Sequence, residues 1–194
     1  MKLVDPIAFF KVFGPLLLGL LVFVAIAIAL TYFFKVALPD YFSRKKVKKS
    51  FESGEEWRGD QEWLDHLRKM DPTEFEEFIA QLFRSLGYNA RAVGHAGDHG
   101  VDVEAEKDGV THLVQCKKYS KTNKVGEPEV RNFLGAIDHQ HSRGKGYFVT
   151  TGYFTSEAEK FAEDKPIELI DGPNLIERIR SLKKEASENS VSGV

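Results

Sequence analysis

Between Lys11 and Lys35 the chain carries no charge: Val12 to Phe34 reads VFGPLLLGLLVFVAIAIALTYFF. As a helix this run would extend roughly 34 Å at about 1.5 Å per residue, enough to cross the hydrocarbon core of a bilayer. A cleaved signal peptide is the competing reading. Its apolar core is usually about 7 to 15 residues long and ends at a small-residue site, whereas this run is longer and exits through Tyr32, Phe33 and Phe34. The expectation is a single transmembrane helix at residues 12–34, behind an N-terminal segment at 1–11. Lys35, Arg44, Lys45, Lys46, Lys48 and Lys49 follow it against one acid, Asp40, whereas only Lys2 and Lys11 precede it. The positive-inside rule then puts the N-terminus outside and the rest of this single-pass chain in the cytoplasm. The RKKVKK cluster reads as that orientation signal and as attraction to anionic lipid, in preference to DNA contact.

The chain has 194 residues, 42% hydrophobic and 29% charged, room for one globular domain beside the span. A formal net charge of -2 decides nothing about a polyanionic partner, because a local basic strip is what counts. The single cysteine, Cys116, excludes an internal disulfide and a multi-cysteine zinc site. Residues 35–70 read as a basic juxtamembrane segment and linker, with a short amphipathic stretch through Trp63, Leu64, Leu67 and Met70. Residues 71–184 form the domain, and 185–194, EASENSVSGV, a mobile polar tail.

Asp71 can cap a helix, with Pro72 at its first position and Glu74 completing a capping box. Phe75, Phe78, Ile79, Leu82, Phe83 and Leu86 then make one apolar stripe, which Gly87 ends. On that wheel Glu77 points away from the interior, and Glu76, at the edge of the stripe, is the acid able to look inward. Strand YNARAV, a hairpin, helix GEPEVRNFLGAI, strand GYFVTT, a short helix capped by Thr155, strand PIELI and a closing helix follow. That order predicts an α/β fold, a mixed β-sheet with helices on both faces.

Within the hairpin, Asp108-Gly109 suits a type I′ turn, so Lys107 should pair with Val110. The same register sets Asp102 opposite Gln115 and Lys117 opposite Gly100, which has no side chain to block it. A carboxylate and an amide oxygen that close can share a small cation. An ordinary Asp102–Lys117 ion pair at a sheet edge fits the spacing equally well. Glu104 and Glu106 share the face but read as solvated. The six histidines show no ligand spacing; His112 reads as packing and Cys116 as a buried thiol.

The blocks EFEEF, GYNARAVGHAGDHGVDV, VQCKKY, VGEPEVRNFLGAI, GYFVTTGYFTSEAEKFA and IELIDGPNL, in this order, resemble the Mrr-type restriction endonuclease domain of the PD-(D/E)XK nuclease superfamily. The resemblance implies a restriction-endonuclease-like α/β/α core and a divalent-metal-dependent phosphodiesterase acting on DNA. It puts Asp102 at the metal-binding aspartate, Gln115 where most of the superfamily has Glu or Asp, Lys117 at the lysine and Glu76 at the first-helix glutamate. Asp98 matches a family position too, although its glycine neighbours equally suggest a turn residue.

The expected catalytic set is Asp102, Gln115, Lys117 and Glu76, with Asp102 and Gln115 holding Mg²⁺, for which Mn²⁺ could substitute. Gln115 brings no negative charge, so the metal should be held more weakly than by two carboxylates. Lys118, Lys121, Lys124 and Arg131, beside Lys117, could follow backbone phosphates or form a solvated basic loop. Expected partners are DNA and the lipid bilayer, with a homodimer allowed and no organic cofactor called for. The function expected is a membrane-anchored DNA endonuclease of restriction or defence type. The alternatives are a catalytically weak or inactive module tethering DNA at the membrane, and a structure-selective repair nuclease.

Overall fold

The computed structural model describes residues 6–32, 59–93, 100–139 and 144–191. The chain divides into two compact units, Met1–Lys45 and Lys46–Val194. In the first, helix α1 (Pro6–Tyr32) runs unbroken for 27 residues with no acid in its first turn and no base in its last. Its side chains are described over residues 18–31, all exposed, with Leu18, Leu21, Phe23 and Ile28 more than half accessible. Among the described residues no helix is long and apolar enough to cross a membrane. The basic cluster Lys35, Arg44, Lys45, Lys46, Lys48 and Lys49 lies outside the described residues.

The described part of the second unit begins with helix α2 (Asp60–Lys69) and helix α3 (Pro72–Ser85). The expected linker is therefore partly structure: α2 buries Trp63, Leu64 and Leu67 in the same core as α3, so the domain begins before Asp71. Arg68 fastens α2 in place, donating from Nε to the Tyr119 carbonyl at 3.3 Å and from Nη2 to the Thr151 carbonyl at 2.7 Å. Helix α3 starts as its sequence dictates. The Asp71 carboxylate accepts the Glu74 N–H at 2.7 Å, Glu74 closes the capping box, and Gly87, at φ +85°, turns the chain out beyond the last turn.

Five strands form one sheet in the order β1 (Asn89–Ala92), β2 (Val103–Lys107), β3 (Val110–Lys117), β5 (Gly146–Thr150), β7 (Ile167–Ile170). The first three are antiparallel neighbours, and β3, β5 and β7 are parallel. Parallel pairing requires crossovers, which helix α4 (Glu127–His139) and helix α5 (Ser156–Ala162) supply. β4 (Lys124–Val125) and β6 (Tyr153–Phe154) add a small parallel pair.

Two apolar cores follow from strand alternation. Val103, Val114, Cys116, Tyr147 and Val149 face the helices α2, α3 and α6 (Gly172–Val191), while Leu113 and Phe148 face α4 and α5. This is the mixed, helix-flanked sheet expected. Helix α6 runs on to Val191, so the expected polar tail is helical over most of its length; Glu and Ala extend a helix readily, and Lys184 and Glu188 pair one turn apart.

Candidate active site

The hairpin turns at Asp108 and Gly109, both at positive φ (54° and 75°), and the ladder runs from Lys107↔Val110 to Val103↔Val114 as the turn chemistry dictates. One pair farther on, the register changes. The Asp102 N–H donates to the Val114 carbonyl at 2.9 Å, so Asp102 and Val103 both face Val114 across the ladder. This is a bulge, and it corrects the expected pairing in two ways. Asp102 does not continue the ladder opposite Gln115. Its carboxylate turns in-plane and accepts the Cys116 N–H at 2.7 Å, between Gln115 and Lys117. Gly100 meets the amide of Gln115 instead of Lys117: a Cβ there would lie 2.8 Å from Gln115 Nε2 and 3.0 Å from Oε1. Gly100 also takes φ +86°, so glycine is required both for the turn and for the space.

Asp102, Gln115 and Lys117 thus sit at one end of β3, all partly accessible. The Cys116 thiol, between the last two, points into the α3-side core. Burial pushes its pKa well above the ordinary thiol range, and the carboxylates of Asp102 and Glu76 add to the rise. Glu76 is half-buried. Glu77, expected to point away, is instead the buried acid at 3% exposure, and the Arg84 guanidinium meets it at 2.9 Å. Glu77, Gln81 and Arg84 form one row up α3, where Arg84 also bonds Gln81 and the Ala90 carbonyl; contact of α3 with β1 covers a wider arc than the apolar stripe implied.

The basic residues differ in their partners. Lys118 donates Nζ to the Met70 carbonyl, tying it to the junction of α2 and α3. Arg131 pairs with Glu127 and lies 4.7 Å over the Phe161 ring. Lys121 and Lys124 are exposed. Asp98, His95 and His99 lie outside the described residues. His112 packs edge-on against Tyr88, its Nδ1 accepting the Lys145 N–H at 3.0 Å, and Thr155 caps α5 through the Ala158 N–H. Among the described residues no three His, Cys, Asp or Glu side chains gather as a cation cage.

Two residues at the site were not anticipated. Glu129, in the first turn of α4, lies 3.5 Å from Lys117 Nζ, accepts the Tyr119 hydroxyl at 2.8 Å and accepts the Gly126 N–H at 3.0 Å. Burial alone would raise its pKa, but those partners more than offset it and hold the carboxyl below its ordinary range. The alternation 115, 117, 119 already placed Tyr119 on the face of Lys117; the arrival of α4 over that face required the fold.

The Mrr catalytic-domain family of restriction endonucleases matches residues 67–179, most of the domain and all of the β2–β3 site. The chain belongs to this restriction endonuclease family. Among relatives of this endonuclease domain, the type IV methyl-directed restriction enzyme EcoKMrr of Escherichia coli (strain K12) is 35% identical over 124 residues, 59% of this chain and 40% of that protein. The chain therefore matches well under half the length of that relative. Among solved structures, the MspJI restriction endonuclease in complex with a 27-mer oligonucleotide is similar with TM-score 0.50 at 25% identity, over 62% of this chain and 31% of that one. The DNA modification-dependent restriction endonuclease AspBHI shares the fold with TM-score 0.52 at 23% identity, over 69% of this chain and 40% of that one.

Proposed function

We propose that this member of the restriction endonuclease family is a divalent-metal-dependent DNA endonuclease held at a membrane by α1. The observation that carries the catalytic reading is the bulge at Asp102, which turns a carboxylate into the end of β3 while Gly100 leaves room for the Gln115 amide beside it. Carboxylate and amide oxygens are the hard donors that Mg²⁺ or Mn²⁺ takes, so Asp102 and Gln115 fit as ligands, with Glu76 contributing through water or by aligning a ligand. A dication bound there would supply charge neutralisation for the phosphate and a more acidic water.

The chain's own residues do the rest. Lys117, on the same face as Gln115, orients the attacking water and stabilises charge building on the phosphoryl oxygens. The water oxygen forms the new bond to phosphorus, the bridging P–O bond breaks, and the departing sugar oxygen takes up a proton while the water releases one. Lys121 and Lys124, both exposed, would follow backbone phosphates.

The apolar, exposed face of α1 supports anchoring, with the basic residues after it favouring an N-terminus outside and a cytoplasmic nuclease domain. The test is cleavage of DNA with Mg²⁺ or Mn²⁺ by the full chain in detergent, beside Asp102→Ala and Lys117→Ala. The reading expects cutting by the parent, lost on adding a chelator and in both variants. DNA binding without cutting by the parent, or cutting that survives both substitutions, would turn it to a binding module. For the anchor, a reporter fused after Val194 should be active only if it is of the kind whose folding requires the cytoplasm.

A further inference from the structure

The carboxylate of Glu129 is held from three sides. Its Oε2 accepts the Gly126 N–H at 3.0 Å, and its Oε1 accepts the Tyr119 hydroxyl at 2.8 Å while lying 3.5 Å from Lys117 Nζ. The Tyr119 ring stands 5.6 Å from the same ammonium. Tyr119 is itself fixed through its backbone, whose N–H donates to the buried Thr151 hydroxyl at 3.0 Å and whose carbonyl accepts that hydroxyl at 2.8 Å.

A helix-start acid needs one oxygen on the Gly126 N–H to satisfy the first turn. The second oxygen has no part in that task. It is spent on Lys117 and on the tyrosine that stands against it.

Resting on the reading of Lys117 as the site's lysine, we propose that Glu129 is a positioning residue for that lysine, itself oriented by Tyr119. The ammonium sits on a flexible stem and is 40% exposed, so it would otherwise be spread over several rotamers. Gln115, its neighbour on the same face, is neutral and offers no counter-charge. Glu129 supplies one from α4, and so fixes where the ammonium meets the phosphate.

The test uses the full chain in detergent and compares the parent with Glu129→Gln, Tyr119→Phe and Lys117→Ala in Mg²⁺-dependent cleavage, with melting temperatures alongside. Glu129→Gln should lower kcat by roughly 10- to 100-fold, with KM changed by no more than about two-fold. Tyr119→Phe, which loses one hydrogen bond, should lower kcat about 3-fold at an unchanged KM. Parental kcat in Glu129→Gln, or a loss that appears in KM alone, overturns the proposal. Should Glu129→Gln fail to fold, parental kcat in Tyr119→Phe overturns it. A parent that cuts beside a Lys117→Ala variant that cuts equally well removes the reading of Lys117 itself; an inactive Lys117→Ala beside a fully active Glu129→Gln removes this inference alone.

Discussion

Replacing Gly100 by alanine separates two roles of one residue. Gly100 and Gly109 both sit at positive φ, +86° and +75°, where an alanine is strained by about 1–2 kcal/mol. They differ in surroundings. Nothing lies within 4 Å of a Cβ at Gly109, whereas at Gly100 the Cβ would be 2.8 Å from Gln115 Nε2. To reach ordinary contact the amide must withdraw by roughly 0.6 Å or more, and, as the end of a flexible side chain, it swings away at little cost in stability. Both variants should therefore melt about 3–8 °C below the parent. Their cutting should diverge. A displacement approaching 1 Å at a reacting site costs up to about 100-fold, so Gly100→Ala should cleave roughly 10- to 100-fold more slowly in single-turnover assays with Mg²⁺, while Gly109→Ala keeps the parental rate. Equal rates in the two variants would refute the claim that the Gln115 amide must lie against Gly100.

Other consequences can be measured directly. Arg84→Ala leaves Glu77 buried without its guanidinium and should cost about 2–4 kcal/mol in urea denaturation; a loss below about 1 kcal/mol would mean the pair is not what neutralises Glu77. Arg68→Ala removes charged donors from the Tyr119 and Thr151 carbonyls and should cost about 2–3 kcal/mol by the same assay, with no change expected only if α2 is dispensable to the domain. Glu129 and Glu168 are both held below the ordinary carboxylate value of 4.5. In each, burial pushes upward and is outweighed, at Glu129 by Gly126, Tyr119 and Lys117, and at Glu168 by Lys145 and Arg178. Because their folded values lie below their unfolded ones, the stability they lend is fully present above about pH 4.5 and is lost as pH falls through the folded values. Melting temperatures should decline below that pH, and less steeply in a Glu129→Gln, Glu168→Gln double variant.

The elements whose cues are local were readable from residues: the Asp71–Glu74 capping box, the Asp108-Gly109 turn with its register to Val103, the Thr155 cap, and the alternation placing Val114 and Cys116 opposite Gln115 and Lys117. The misreadings came where two elements meet. Counting from the turn assumes an unbroken ladder, and nothing in VDVEAEK announces that Asp102 doubles up with Val103 on one partner. The wheel of α3 judged Glu77 by its apolar neighbours alone, whereas Arg84, two turns along the same row and held by the Ala90 carbonyl of β1, gives it a polar partner. Trp63 and Leu67 looked like a linker's amphipathic stretch because the surfaces they cover, on α3 and α6, are distant in sequence. Glu129 is distant in sequence from Lys117, and only the crossover from β3 into α4 brings it there.

Asp102 and Gln115 are proposed to share a dication at the end of β3. Crystals of the protein grown with Mn²⁺, measured at the manganese edge, locate that ion independently of any activity. An anomalous peak is expected within bonding distance of an Asp102 carboxylate oxygen and Gln115 Oε1, with Lys117 Nζ nearby; a peak held by other residues, with the Asp102 and Gln115 side chains turned away from it, would rule this shared site out.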